Sequence, residues 1–268
     1  MFDNLQLIPG EAFTASGSVL EKIIDKVSDA VGWTVMPKGT KQYQLEAEKY
    51  LIDKIKNNPS MPDLAKAATI SNARKIIKNY QNQRNIFSMA LDFINDSAEP
   101  ERVSDDWLAF FFDSAKNISE EDVAIIWGKL LAKEINIPGT VSKSLIHILS
   151  IIDYKDALTF QKLASFTVEI SGEYYLILFT DRFNDIYKNY GLTPFDIISL
   201  EETGLIQSSY GYYSASLEND EKVMYFDSEI DLKGSTNINT GNILLTTSGV
   251  ELMSVISDKK RWTDLNGF

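Results

Sequence analysis

An α+β fold is what this 268-residue sequence predicts, an all-helical first part over residues 1–166 followed by a mixed part of strands and short helices over 167–268. Three observations predict it. Up to about residue 166, apolar residues recur at spacings of three and four, the period of a helix with one buried face. Beyond that point the texture turns to β-branched and aromatic runs such as "FTVEISGEYYLILF", interrupted by turn pairs. Hydrophobic residues make up 44% and charged residues 24%, an ordinary balance for a chain that folds around a core.

The elements follow in order. In "GSVLEKIIDKVSDAVGW", Leu20, Ile23, Ile24, Val27 and Val31 keep helical spacing, and Gly32 is placed to stop the helix. "KQYQLEAEKYLIDKIKNN" repeats the pattern and ends before the breaker "NPSMP". From Asp63 to about Asp96 the spacing predicts one long helix or two in line. Ser104 is an N-cap followed by Asp105 and Asp106, and Ser119 repeats the device with Glu120, Glu121 and Asp122, placing negative charge where the helix dipole favours it. The helix after Ser119 carries the apolar stripe Val123, Ile126, Trp127, Leu130 and Leu131 and stops at "IPG". "LIHILSII", capped by Ser142 or Ser144, and "YKDALTFQKLASF" close the helical part.

Ser171-Gly172 then reads as the turn of a hairpin. The short helix "DRFNDIYKNYG" precedes "TPFDIISLEETG", where Thr193 caps, Pro194 starts and Gly204 lies beyond the end. "LIQSSYGYYSA", "KVMYFDSEID" and "NILLT" are strand candidates, and "SGVELMSVI" is the last helix. The change of unit falls near residues 166–180.

Much chemistry is excluded at once. There is no cysteine, which removes disulfides, thiolate nucleophiles and cysteine metal sites. No glycine-rich phosphate loop, H-E-x-x-H or EF-hand spacing occurs. A Ser-His-Asp triad would have to use His147, the one histidine, with Ser144 or Ser150 and Asp153; a core or interface imidazole outweighs it. The carboxylate groups Asp105-Asp106, Glu120-Glu121-Asp122 and Glu201-Glu202 could supply metal ligands, but helix capping explains the first two. No catalytic residue, cofactor or metal is therefore assigned. "YGYYS" (210–214) could stack bases, with hairpin packing the weightier reading.

Along "DDWLAFFFDSAKNISEEDVAIIWGKLLAKEINIPGTVSKSLIHILSIIDYKDALTFQKLASF" the chain resembles the bacterial domain-of-unknown-function family 2806. The matching residues are Asp106-Trp107, Ile118-Ser119, Trp127-Gly128, Leu131, Glu134, Pro138-Gly139, Ser142 and Phe160. A looser likeness runs through "VLEKIIDKVSDAVGWTVMP". Downstream, "YGLTPFDIISLEETGLI" and "ILLTTSGVEL" are similar to the second helix and closing elements of winged-helix domains, which makes the second part winged-helix-like. The resemblance carries no established catalytic residue; it implies an association with phage defence or stress response.

Charge then sorts the partners. The formal net charge of −12 opposes duplex DNA and anionic membrane surfaces. Residues 180–268 hold seven Lys/Arg against fourteen Asp/Glu, and 193–203 hold no base at all, so the module is read as one that contacts proteins. The one basic block is 38–86, ten Lys/Arg against four acids, through which RNA or single-stranded nucleic acid is admitted. The expectation is a cytoplasmic, non-enzymatic protein working through a protein partner or self-association. Trp33, Lys38, Lys41, Arg74, Lys75, Lys78, Arg84, Glu134 and His147 are its candidate interaction residues. Two alternatives stand beside it, a metal-dependent nuclease-type effector and a membrane-active effector using the amphipathic helix 18–31.

Overall fold

The computed structural model describes residues 16–32, 41–177, 185–217, 221–226, 228–230 and 237–256. Two compact units divide the chain, Met1–Lys143 and Ser144–Phe268. Among the described residues the first is helical and the second mixes helices with antiparallel strands, the α+β class that the sequence predicts.

In the first unit, α1 (Gly17–Val31) buries Leu20, Ile23 and Val27 and packs on α4 (Asp105–Ala115). It ends at Gly32, whose φ of 72° lets its N–H reach back to Ser28 O. α2 (Lys41–Lys56) lies along α3 (Asp63–Leu91), a single helix of 29 residues. Only Ile86, Phe87, Ala90 and Leu91, at the end of α3, are buried, where it packs on α5 (Glu121–Asn136). That approach is close: a Cβ added to Gly128 on α5 would lie 2.9 Å from Met89 Cβ and 3.1 Å from Ala90 N.

α4 opens as expected, with Ser104 Oγ accepting the N–H of Trp107. At α5 the cap shifts by one residue. Glu120, not Ser119, holds the N-cap position and makes no side-chain cap bond. The run Phe110-Phe111-Phe112 resolves as geometry requires. Phe111 and Phe112 are fully buried, Phe111 stacking on Trp107 at 5.0 Å and tilting against Trp127 at 5.2 Å. Phe110 is half-buried, with Lys143 Nζ 5.7 Å from its ring centre.

In the second unit, α6 (Lys143–Ile151) and α7 (Tyr154–Leu163) lead into a hairpin of β1 (Thr167–Ile170) and β2 (Glu173–Leu176). Its turn has Ser171 at φ 51° and Gly172 at φ 86°, the positive values a two-residue hairpin needs. β1 also pairs with β4 (Val223–Tyr225), and β4 with β5 (Ser228–Ile230), completing the order β2-β1-β4-β5. "KVMYFDSEID" is thus two short strands rather than one, with Phe226 at φ 55° between them. Val168, Ile170, Ala215 and Val223 form a small core over this sheet.

α8 (Asp185–Asn189) precedes α9 (Pro194–Glu202). A second ladder pairs β3 (Ile206–Ser216) with β6 (Asn237–Leu245), and α10 (Thr247–Met253) follows. α6 and α7 therefore belong to the unit that holds the strands, with α7 touching α9, where Ser199 Oγ donates to Asp156 Oδ1 at 2.7 Å.

α9 starts with a complete capping box, in which Thr193 N–H donates to Asp196 Oδ2 at 2.8 Å and Asp196 N–H donates to Thr193 Oγ1 at 3.3 Å. Burial pushes the Asp196 carboxyl up, but the two hydrogen bonds from Thr193 and the charges of Lys155 and Lys162 outweigh it and hold it below its ordinary 3.8. A carboxyl lowered in the folded state stabilises fully above its unfolded value and loses that contribution as pH falls through the folded one. Asp196→Asn should therefore destabilise at neutral pH while flattening the acid limb below about pH 4. Urea midpoints at several pH values check this; an unchanged acid limb would contradict it.

Candidate functional site

The signature helix α5 is built around a buried carboxylate. Glu134 lies in its last turn, is 3% exposed, and accepts two backbone N–H groups of the turn that follows. Gly139 N–H donates to Oε1 at 2.8 Å and Val141 N–H to Oε2 at 2.9 Å. Pro138 has no N–H to offer, and Gly139 sits at φ 89°, which folds the chain back over the helix end. Trp107 Nε1 donates to Val141 O at 2.7 Å, so the same turn is held from α4 as well. Thr140 Oγ1 donates to Ile137 O at 2.8 Å.

Glu134 is thus a clasp whose oxygens are both engaged inside the unit, and its partners are turn amides rather than His147. Trp107, Trp127, Gly128, Glu134 and Gly139 all serve this one junction or the helix packing beside it.

The basic block is less uniform than its composition. Trp33 and Lys38 lie outside the described residues, and Lys41 opens α2. Arg74 Nε stands 3.3 Å from Glu48 Oε1, Lys66 Nζ 3.7 Å from Asp63 Oδ1, and Arg84 is half-buried and engaged. Lys75 and Lys78 are exposed and make no ion pair among the described residues. Leu64 (84% exposed) and Ile76 (58%) stand on the outer surface of the same helix.

His147 is exposed, which corrects the core half of the core-or-interface reading. On α6 the buried face is Leu145, Ile146 and Leu149, and residue 147 falls on the other side. Ser150 Oγ donates to His147 O at 2.7 Å, so that hydroxyl is directed at backbone rather than imidazole. The acidic groups disperse as well. Asp105 pairs with Lys26, and Glu201 accepts from Ser208. Among the described residues no three of His, Asp and Glu gather where an ion could sit, and no helix is long and apolar enough to cross a membrane. The apolar stripe of α1 is occupied by α4, with Lys22 and Lys26 paired to Glu101 and Asp105.

The second unit carries exposed apolar and aromatic side chains on α9 and on a bulge of β3. α9 buries Ile197 and Leu200 and turns Phe195 (79% exposed), Ile198 and Glu202 outward. In β3, Ser208 pairs with Ile243 and Tyr213 already with Gly241, so four residues, 209–212, bulge against one. The bulge carries Tyr210, fully exposed, and Tyr212, which corrects the reading of "YGYYS" as hairpin packing. Ser208 donates through its N–H to Glu201 Oε1 at 2.7 Å and through its hydroxyl to the same oxygen. Glu201 thereby fixes the start of the bulge to the last turn of α9. Asn242 Nδ2 donates to Ser209 O at 2.9 Å and Gly211 N–H to Ser209 Oγ at 3.2 Å, bracing it further. The outward spacing of Phe195, Ile198 and Glu202 was a readable signal; the bulge had none.

A family model described as a protein of unknown function, DUF2806, matches residues 69–263. No curated protein and no solved structure matches the chain.

Proposed function

Starting from a chain that belongs to the DUF2806 family, we propose that it is a non-enzymatic module working through protein–protein contacts, in the setting of phage defence or stress response that the resemblance implies. The second unit is read as winged-helix-like, with α8 and α9 as its helix pair, α9 in the recognition position, and the bulged β3–β6 ladder as the wing.

One observation carries this reading. Where a DNA-binding winged helix would aim cations at phosphates, α9 offers Phe195, Ile198 and Glu202, with Tyr210 and Tyr212 on the bulge. Aromatic anchors rimmed by acid suit a protein surface, because tyrosine and phenylalanine bring large contact areas at little rotamer cost.

Size-exclusion chromatography with light scattering, and mass spectrometry of whatever co-purifies, tests it. The wild type is expected to run as an assembly or with a stoichiometric protein partner, and Phe195→Ala with Tyr210→Ala to lose that species while remaining folded. A strict monomer with no partner at any concentration overturns the reading, as does an assembly indifferent to this double substitution.

A further inference from the structure

The charge of this chain is unevenly divided between α3 and the second unit. From Leu64 to Leu91, α3 holds five Lys/Arg and no acid. Ser144–Phe268 holds nine Lys/Arg against eighteen Asp/Glu, a net of −9. On α3, Leu64, Ala68, Asn72, Lys75 and Ile76 fall on one helical face and are all exposed, with Lys78 at its edge. This face mixes apolar side chains with two cations that no carboxylate neutralises among the described residues. α9 and the bulge tied to it through Glu201 and Ser208 are its counterpart in character, apolar and aromatic at Phe195 and Ile198 on α9 and Tyr210 on the bulge, and acidic at Glu202.

Resting on the protein-contact reading above, we propose that the partner is a second copy of this chain, docked head to tail, with the Lys75/Ile76 face of α3 from one copy on the Phe195/Tyr210 surface of the next. Apolar contact between Leu64, Ile76 and the exposed rings supplies burial, and Lys75 and Lys78 opposite Glu202 supply register and attraction. The two surfaces are different, so the interface is heterologous. Each copy that docks leaves one α3 face and one α9 surface open, and the assembly grows until it closes into a ring or continues as a filament. Attraction of this kind weakens with salt.

Complementary variants of the full chain separate this from every other arrangement. Lys75→Glu with Lys78→Glu spoils the α3 face alone; Phe195→Ala with Tyr210→Ala spoils the α9 surface alone. The substituted side chains are exposed, and circular dichroism verifies that both variants are folded. The wild type is expected to show a concentration-dependent, salt-sensitive series of species by light scattering. Each variant alone should be monomeric, and their mixture should give a 1:1 dimer that grows no further.

If the wild type assembles and the Lys75/Lys78 variant assembles equally well, the α3 face is not the partner and this proposal fails, while the α9 reading stands. A mixture that stays monomeric also overturns it. A monomeric wild type bound to a different protein through Phe195 and Tyr210 refutes self-docking alone. Nucleic acid that co-elutes with the wild type and is lost on Lys75→Glu with Lys78→Glu assigns the basic face to a polyanion, and refutes it too.

Discussion

Glu134→Ala is expected to unfold the first unit far more easily, costing roughly 3–5 kcal/mol, because it strands two inward-facing N–H groups and leaves a void where a carboxylate had been. In the wild type both oxygens are engaged, by Gly139 N–H and Val141 N–H, at a site 3% exposed to solvent. Val141 is buried, so water can replace the carboxylate at its N–H only if the turn opens. Trp107 would also suffer, since Val141 O, which its indole N–H uses, belongs to the same turn. The thermal midpoint should fall by about 10 °C, from the usual few degrees per kcal/mol in chains of this size. Glu134→Gln keeps the shape but aims an amide N–H₂ at one of the donors, so an intermediate loss of roughly 2 kcal/mol is expected. Tryptophan fluorescence follows this unit, because Trp107 and Trp127 sit in its core. Wild-type stability in Glu134→Ala would show that the clasp is not what holds the turn.

Gly249→Ala should be as damaging in the second unit. A Cβ at this position would lie 2.1 Å from Leu205 O, and no side-chain rotation relieves a clash between two backbones. Leu205 O cannot move freely either, because it accepts Thr246 N–H at 3.0 Å and lies 3.2 Å from Thr246 Oγ1, the cap of α10. Accommodating one methyl group means parting β3 from the start of α10 or giving up the cap, and overpacking of this kind costs about 3 kcal/mol. Val250→Ala, on the exposed side of the same helix, is the control and should change little. Hydrogen exchange of the β3–β6 amides separates the two variants; equal protection in both would remove the close approach from the explanation.

These two positions also mark how far letters alone could go. The helical period, the Gly32 stop, the Ser104 and Thr193 caps and the Ser171-Gly172 turn were all legible, because each is a local preference written in the residues that express it. Glu134 stood out as an acid beside an apolar stripe, but its partners are backbone amides, which no side-chain letter reports. The core reading of His147 fails because its neighbours in sequence are apolar, whereas on a nine-residue helix the buried ones face the other way. The β3 bulge escaped notice for a related reason. Four residues opposite one is a property of the pairing, and "SSYGYYS" reads as an unbroken strand until its partner is known. Phe195 and Ile198 could have been found by asking which side of α9 Ile197 and Leu200 occupy, since their exposure follows from the same period that predicts the helix.

The clasp at Glu134 bears on what kinship through these residues conveys. Trp107, Gly128, Glu134 and Gly139 close a turn and seat two helices within the first unit, whereas α9 and the bulge belong to the second. A lineage traced by that set of letters therefore inherits an architecture. Under the protein-contact role proposed above, the choice of binding companion would lie elsewhere, on outward side chains that can be exchanged without disturbing the joint, so two chains that share the joint need share nothing of what they hold.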